Sequence, residues 1–474
     1  VTLGESTLSA EELTSIAGNL ANGAVIDLGE ATFATTEFPM DFARKTSLQE
    51  IVLPRNIRTS ASDSFSGAFY SCSNLKRATF PKGLTSIGAN CFRSCAKLES
   101  VNIPSTVHTL GKLAFYGCKL LTSVVIPEGV ETIPQSLFSN CSALSSVTLP
   151  STLKSIGYEA FGSTGLKEIT IPESVTTMDN NVFNVCKSLE RVQLPDALTA
   201  IPAKMCYQCS ALTTVNMPSK LETVGNDAFY QCSKLQDVTF PETLQSLDER
   251  SFGGCNAFTR IIINIPEIEG YAFWSCANVT SIDLGEKVTS IGRNAFITAS
   301  NLQTITCRAK NAPSLASGAF GSAGSKVEGK KILYVPAASY DAYETAWTDV
   351  ISQGYALQDI NDQQLTDGIY YRASREADWV PTLPATFTAL YVRTVGDDAA
   401  LTASQFNTVI TKISAQSAPV TLDLNMAKFE DTEFPTGLAG NAKLGTIKFF
   451  ENTASIAAGA FKGCTCLLYT SPSP

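Results

Sequence analysis

The sequence predicts an α/β solenoid, in which coils of about 23 residues stack on a curved parallel β-sheet and return through short helices or turns on the convex side. Three features predict it: a regularly spaced phenylalanine, a short apolar strand pattern after it, and a proline that ends the strand. The phenylalanines follow one another at steps of 21 to 24 residues, and Cys206 fills the one empty slot between Phe183 and Phe229. They are Phe69, Phe92, Phe115, Phe138, Phe161, Phe183, Phe229, Phe252, Phe273, Phe296 and Phe320.

A strand of the form L-x-x-V-x-I-P follows most phenylalanines. Examples are LESVNIP at 98–104 and LERVQLP at 189–195. Alternating apolar residues place two side chains on one face of a strand, and the proline ends it because it lacks an N–H. A second apolar pair such as Val130 and Ile133 comes next, then a G-x-x-A-F-x-x-C stretch. We expect glycines such as Gly111 and Gly157 to let the chain turn there.

One coil buries too few apolar side chains to offset its lost conformational entropy, so the coils must stack on one another. The combined motif resembles the BspA-like leucine-rich repeats of bacterial surface proteins, over about residues 42–350. The resemblance implies a leucine-rich-repeat solenoid, an extracellular or cell-surface location, and recognition or adhesion, with host matrix proteins as the usual partners. It carries over no catalytic residues.

The repeat pattern divides the chain into four segments. We expect an N-terminal cap (1–41), a repeat array with a terminal rung (42–360), a linker or small β segment (361–398) and the start of a second, truncated array (399–474). Ser9 and Glu12 have capping-box spacing and predict a helix in the first cap. The second copy is indicated by IDL at 26–28 and LDL at 422–424, which lie 396 residues apart.

Charge and composition exclude several classes of function. The net charge of −9 argues against a nucleic-acid partner, and no apolar run is long enough to span a membrane. Because the chain opens in polar sequence, we expect no signal peptide within it, and we expect a monomer. The single histidine, His108, excludes a site with several histidine ligands, and its position predicts that it faces solvent. No phosphate-binding loop occurs, so we expect no catalytic residue, metal or cofactor.

Cysteines recur three residues after the Phe slot. They are Cys72, Cys95, Cys118, Cys141, Cys186, Cys209, Cys232, Cys255 and Cys276. Side chains stacked at the spacing of parallel strands, about 4.8 Å, keep their Cβ atoms too far apart for an unstrained disulfide. We therefore expect buried free thiols that pack as small apolar groups.

Outward-facing strand positions give the best candidates for partner binding. The partner would be a host or neighbouring-cell surface protein or glycoprotein bound on the concave sheet. The candidate residues are Arg77, Asn102, Glu168, Arg191, Gln193, Asn216, Asp237, Arg260 and Asp283. Thr and Asn are also common on a plain solvated sheet face, so the pattern alone does not separate the two interpretations.

Two alternatives remain open from the sequence. A carbohydrate-binding module would use aromatic residues of the convex side, namely Tyr116, Tyr207, Tyr230 and Trp274. A structural spacer would have no saturable ligand at all.

Overall fold

The computed structural model describes residues 6–34, 42–58, 67–360, 369–373, 389–394 and 402–426, and shorter stretches between 429 and 469. The chain forms two compact units. The first comprises residues 1–304 and 313–329, and the second comprises residues 305–312 and 330–474. The four-segment division expected from the sequence stays a prediction.

A capped helix, Ala10–Gly18, begins the first unit. The backbone N–H of Glu12 donates to Ser9 Oγ at 3.2 Å, and the Ser9 N–H donates to a Glu12 carboxylate oxygen at 2.8 Å. The predicted capping box is therefore present, and Leu13 and Ala17 face the core. Two short strands, Thr7–Leu8 and Thr32–Phe33, pair in parallel beside it.

The V-x-I segments form the first of two columns of parallel strands, here called the front sheet. Within each run of paired strands, a strand lies beside its equivalent in the next coil, so that Glu168 lies opposite Arg191 and Thr170 opposite Gln193. Its strands are Ala24–Asp27, Leu48–Val52, Arg77–Thr79, Ser100–Val101, Ser123–Val125, Ser146–Thr148, Glu168–Thr170, Arg191–Gln193, Thr214–Val215, Arg260–Ile263 and Ser281–Leu284.

The V/L-x-x-I segments form the second column, here called the side sheet. Two-residue strands place one apolar side chain inward and one small polar side chain outward, as Ile156 and Ser155 do. Its strands are Ser86–Ile87, Thr109–Leu110, Thr132–Ile133, Ser155–Ile156, Thr177–Met178, Ala200–Ile201, Thr223–Val224, Ser246–Leu247, Glu267–Ile268, Ser290–Ile291 and Ser314–Leu315.

The chain returns to the front sheet through turns, and these segments, 67–75, 88–98, 111–121 and their equivalents, are here called the turn face. Each contains two residues with positive φ four positions apart, such as Asn90 (56°) and Ser94 (63°). The turns are joined by hydrogen bonds between coils, for example from Phe92 N–H to the Ala114 carbonyl at 2.8 Å. The fold is a parallel β-solenoid, and in residues 67–329 the turn face is formed by turns and contains no helix.

The phenylalanine column is the spine of the core. Ten of the eleven side chains are completely buried, and Phe320 is 3% exposed. Neighbouring rings stack at centroid distances of 5.0 to 5.9 Å, nearly parallel. Cys206, also buried, interrupts the column where the phenylalanine is missing.

The glycines that open the turn face have a different role from the one expected. Gly111, Gly157, Gly225 and Gly292 do not have positive φ. A Cβ atom on Gly111 would lie 2.2 Å from the backbone nitrogen of Ala89, and one on Gly292 would lie 2.5 Å from that of Gly270. At these positions glycine allows a close approach of two backbones, and it does not supply a positive φ. Other coils have Asp179 and Asp248 in the same slot.

The second unit contains parallel strands and three α-helices among its described residues. Its strands are Lys331–Val335, Tyr355–Asp359, Ile369–Ala373, Ala389–Thr394, Val420–Met426, Glu433–Phe434, Leu444–Lys448, Ser455–Ile456 and Leu468–Tyr469, and its helices are Tyr340–Ala346, Thr348–Ser352 and Ala403–Ser414. A further strand, Thr304–Cys307, contains the boundary between the units. Val420 pairs with Leu444 and is followed by a register shift, as Ala24 and Leu48 are in the first cap.

Candidate functional site

Strand alternation exposes one row of candidate residues on the front sheet. In the strand Arg191–Gln193 the two outer residues are exposed and Val192 is buried. Arg77, Asn102, Glu168, Asp237 and Arg260 are likewise exposed, whereas Asn216 and Asp283 are half-buried. The predicted row therefore exists as a surface, but its members fall into separate groups.

The first group lies in a small open groove near the start of the array. Arg77 and Asn102 line it together with Thr79 and Ser100, in a concavity of about 440 Å³. Arg77 lies 4.0 Å from the carboxylate of Glu50 on the preceding strand. Exposed ion pairs of this kind contribute little to stability, so the guanidinium stays available to a partner.

The second group lies in a larger groove of about 1330 Å³. It brings Glu168, Arg191, Gln193 and Asn216 together with a floor of Ser, Thr and Val side chains. Arg191 Nη2 donates to Glu168 Oε2, and this carboxylate raises the pKa of the guanidinium above its usual value. Both side chains are more than half exposed, so the pair offers a donor and an acceptor at one edge of the groove.

Two candidates use their polar atoms within the solenoid. Asn216 accepts the Leu194 N–H at 2.7 Å and donates to the Leu194 carbonyl at 2.9 Å. Asp237 accepts the N–H groups of Thr259 and Arg260 at 2.7 and 3.2 Å, and the Thr259 hydroxyl. These side chains connect coils where regular strand pairing is interrupted, which makes them weaker candidates for partner contact.

The last two candidates lie further along the front sheet. Arg260 is paired with Ser281, and Ile262 with Asp283. Neither Arg260 nor Asp283 lines the two grooves described above.

Exposed apolar residues on the front sheet were missed by the sequence reasoning. Val125 is 64% exposed and lies between the two grooves, and Ile262 is 45% exposed. The sequence did contain a signal for them, because Val125 and Ile262 are the apolar residues in an outward-facing column whose other members are polar. Such a residue is a suitable anchor for a protein partner.

The aromatic column on the turn face packs upon itself. Tyr207 and Tyr230 stack at 5.2 Å, and Tyr230 and Trp274 stack at 6.0 Å. Gly253 separates the last two in the column, and a Cβ there would lie 3.2 Å from the Tyr230 ring. The ring faces that a sugar would stack against are therefore covered by neighbouring rings. Tyr116 lies elsewhere, against Arg93.

The cysteines are buried free thiols, as predicted, but they are also hydrogen-bond donors. Cys95 Sγ donates to the Phe69 carbonyl at 3.1 Å and Cys141 Sγ to the Phe115 carbonyl at 3.1 Å. The same contact to the preceding coil recurs along the column. Burial raises the pKa of Cys72 to about 11 and of Cys186 and Cys276 to about 12.

The remaining expectations concern His108, membrane-spanning helices and metal ligands. His108 is exposed, as predicted, and its Nδ1 lies 3.1 Å from Thr109 Oγ1. In the part of the chain that the structure describes, no helix has the length and apolar character of a membrane span. The same residues contain no cluster of three potential metal ligands.

Comparison with known proteins places the repeats in a family. The model of the BspA-type leucine-rich repeat region, with 6 copies, matches residues 38–120, 66–190, 109–236 and 199–325. The chain belongs to the BspA-type leucine-rich repeat family. The matched residues make up more than half of the sequence and contain both front-sheet grooves.

Several solved structures similar to this leucine-rich repeat chain come from bacteria. A leucine-rich repeat protein from Bacteroides ovatus is 26% identical, with a TM-score of 0.47, and the match covers 81% of this chain and 80% of that one. A leucine-rich cell surface protein from Faecalibacterium prausnitzii is 26% identical (TM-score 0.40; 64% and 88% covered). The pneumococcal vaccine antigen PcpA is 17% identical (TM-score 0.39; 75% and 88% covered). No curated protein matches the chain.

Proposed function

We propose that this chain is a non-enzymatic, extracellular recognition protein that binds a host or neighbouring-cell surface protein or glycoprotein on its front sheet. The observation that carries the proposal is the groove of about 1330 Å³, whose rim combines Glu168, Arg191 and Gln193. Membership of a repeat family represented among bacterial surface proteins supports the location.

The chemistry of the front sheet suits a broad protein contact. Small hydroxyl residues at the groove floor allow close approach, Val125 supplies an apolar anchor, and Arg191 supplies a charged one. Protein interfaces concentrate their binding energy in such a few anchors and surround them with polar contacts.

Binding to host matrix proteins and mucins tests the proposal. Partners are first recovered by pull-down from extracellular matrix and mucus, and their affinity for the purified chain is then measured. The double substitution Arg191→Ala and Gln193→Ala should weaken binding at least tenfold, because it removes both long side chains from the groove.

A matched control lies on the side sheet. Lys154→Ala with Thr177→Ala removes one exposed cation and one exposed polar side chain outside the groove and should change affinity less than twofold. Equal losses from both pairs, or no saturable ligand, would contradict the proposal, and the second result would favour a spacer. Loss only with Tyr230→Ala and Trp274→Ala would favour the carbohydrate-binding alternative.

A further inference from the structure

The turn face of the first coils is a cationic surface on an acidic protein. Its segments 42–48, 67–75, 88–98, 111–121 and 134–144 contain six basic residues and no acidic one, although the whole chain has a net charge of −9. The basic residues are Arg44, Lys45, Arg93, Lys97, Lys112 and Lys119. Equivalent segments of later coils contain Glu159, Asp179, Asp227, Asp248, Glu249 and Glu269.

Arginine and tyrosine side chains alternate along this surface, here called the basic turn face. The Arg93 guanidinium carbon lies 5.7 Å from the centre of the Tyr70 ring and 5.3 Å from that of Tyr116. The Arg44 guanidinium carbon lies over the same Tyr70 ring, 5.8 Å from its centre. Arg93 Nη1 donates to Asn90 Oδ1 at 3.1 Å, which together with the two rings restrains the guanidinium. Its remaining N–H groups can contact an anion, and little side-chain entropy is lost on binding.

The lysines surround this stack and are fully available. Lys97, Lys112 and Lys119 are exposed. Among the described residues, none of the six cations forms an ion pair within 4.0 Å. Coils of parallel strands repeat at about 4.8 Å, so the positive charges recur along the solenoid at close intervals. Uncompensated like charges held in this way attract a ligand with repeated negative groups.

We propose that the basic turn face binds a linear anionic polysaccharide that carries repeated sulfate or carboxylate groups. Its anions would contact the arginine edges and the lysines of successive coils. The Tyr70 and Tyr116 edges and Leu120, which is 47% exposed, supply contacts for the sugar rings between the charges.

Dextran sulfate, polygalacturonate and uncharged dextran are the probes for the full chain. Calorimetry at low salt should detect binding of at least one anionic polymer and no binding of dextran. Affinity should fall steeply as the salt concentration is raised, because binding of the protein releases counterions from the polymer. Binding to neither anionic polymer, or equal binding to dextran, would overturn the proposal.

Two substitution pairs locate the site. Lys97→Ala with Lys119→Ala should weaken binding at least fivefold. Lys187→Ala with Lys234→Ala removes the same charge from the same positions of later coils, four and five residues after the Phe slot, and should weaken it less than twofold. Equal losses would mean attraction by overall charge and would overturn the site.

Three further arms separate the remaining explanations. Arg93→Lys keeps the charge but not the planar stack, and it should weaken binding severalfold with an unchanged circular dichroism spectrum. Tighter binding of duplex DNA than of either polysaccharide would overturn the assignment of the ligand. The front-sheet pair Arg191→Ala and Gln193→Ala should leave polysaccharide binding unchanged, so failure of the proposed protein site and failure of this one are distinguishable.

Discussion

The cysteine that recurs in most turns links each coil to the one before it. Its thiol donates to the Phe carbonyl of the preceding coil, and that carbonyl also accepts a backbone N–H of its own coil, as Phe115 accepts Cys118 N–H at 3.2 Å. Thr164 occupies the cysteine slot of one coil and also donates to a Phe carbonyl, that of Phe161 at 2.9 Å. A side-chain donor at this position is therefore common in the repeat, although the buried Ala299 and Ala323 occupy the slot in two later coils. Most of these side chains combine small-volume packing with a hydrogen bond between coils.

Substitution of Cys141 by alanine should lower the free energy of unfolding by about 1 kcal/mol more than substitution of Cys91 by alanine. Both thiols are completely buried. Of these two thiols, only that of Cys141 has a hydrogen bond to a Phe carbonyl among the described residues. Denaturant midpoints of the two variants measure the difference. Equal losses would show that the thiol contributes only volume.

The coil is the element in which sequence reasoning was most successful. The phenylalanine spacing located the spine, the proline located the end of most front strands, and V-x-I alternation located the buried and exposed positions. The groupings within the outward row could not be predicted, because Asn216 and Asp237 satisfy backbone groups of neighbouring coils. The alternation of apolar and polar residues determines which way a side chain points, whereas its hydrogen-bond partners depend on local irregularities of the strands.

The close approach of two backbones at the start of the turn face predicts that a glycine substitution there lowers the stability of the protein. Gly111→Ala should destabilise the protein by about 2 kcal/mol or more, because the new methyl group would meet the backbone of Ala89 at 2.2 Å. Gly18→Ala is the control, since nothing lies within 4 Å of its Cβ position in the first helix. It should be neutral or slightly stabilising. Thermal unfolding of the two variants compares them, and similar midpoints would contradict the close-approach role.

At the scale of the whole molecule, residues 24–28 and 420–424 share one arrangement. Positions 396 apart are buried in both, as Ile26 and Leu422 are, and the register shift after Ala24 recurs after Val420. The sequence indicated this similarity through a few matching residues, such as those at 26–28 and 422–424, and the second array itself stays a prediction. It left the segment between them as a linker or small β segment, and the structure has the parallel strands Ile369–Ala373 and Ala389–Thr394 there.

The column of thiols makes the whole solenoid sensitive to alkali. An unfolded cysteine has a pKa near about 8.5, whereas burial raises the pKa of Cys72 to about 11 and of Cys186 and Cys276 to about 12. Unfolding above pH 8.5 therefore releases protons that the folded thiols retain. Stability is complete below that pH and falls as pH rises towards 12, by up to about 1.4 kcal/mol per pH unit for each such thiol.

Denaturant midpoints measured from pH 7 to 11 test this dependence. The midpoint should be constant up to about pH 8 and then fall. A variant with Cys118, Cys186 and Cys255 changed to alanine should show a shallower fall. An unchanged midpoint at pH 10, or equal slopes in the two proteins, would contradict it.

Pairing between equivalent positions of successive coils also has a genetic consequence. Glu168, Arg191 and Thr214 occupy matching places in three neighbouring strands, so the end of one of these coils fits the start of another. Unequal crossing-over between two repeats of the gene would remove or add one entire turn without placing a polar residue in the interior. The number of turns, and with it the length of surface presented to a partner, can thus vary between strains while the architecture persists.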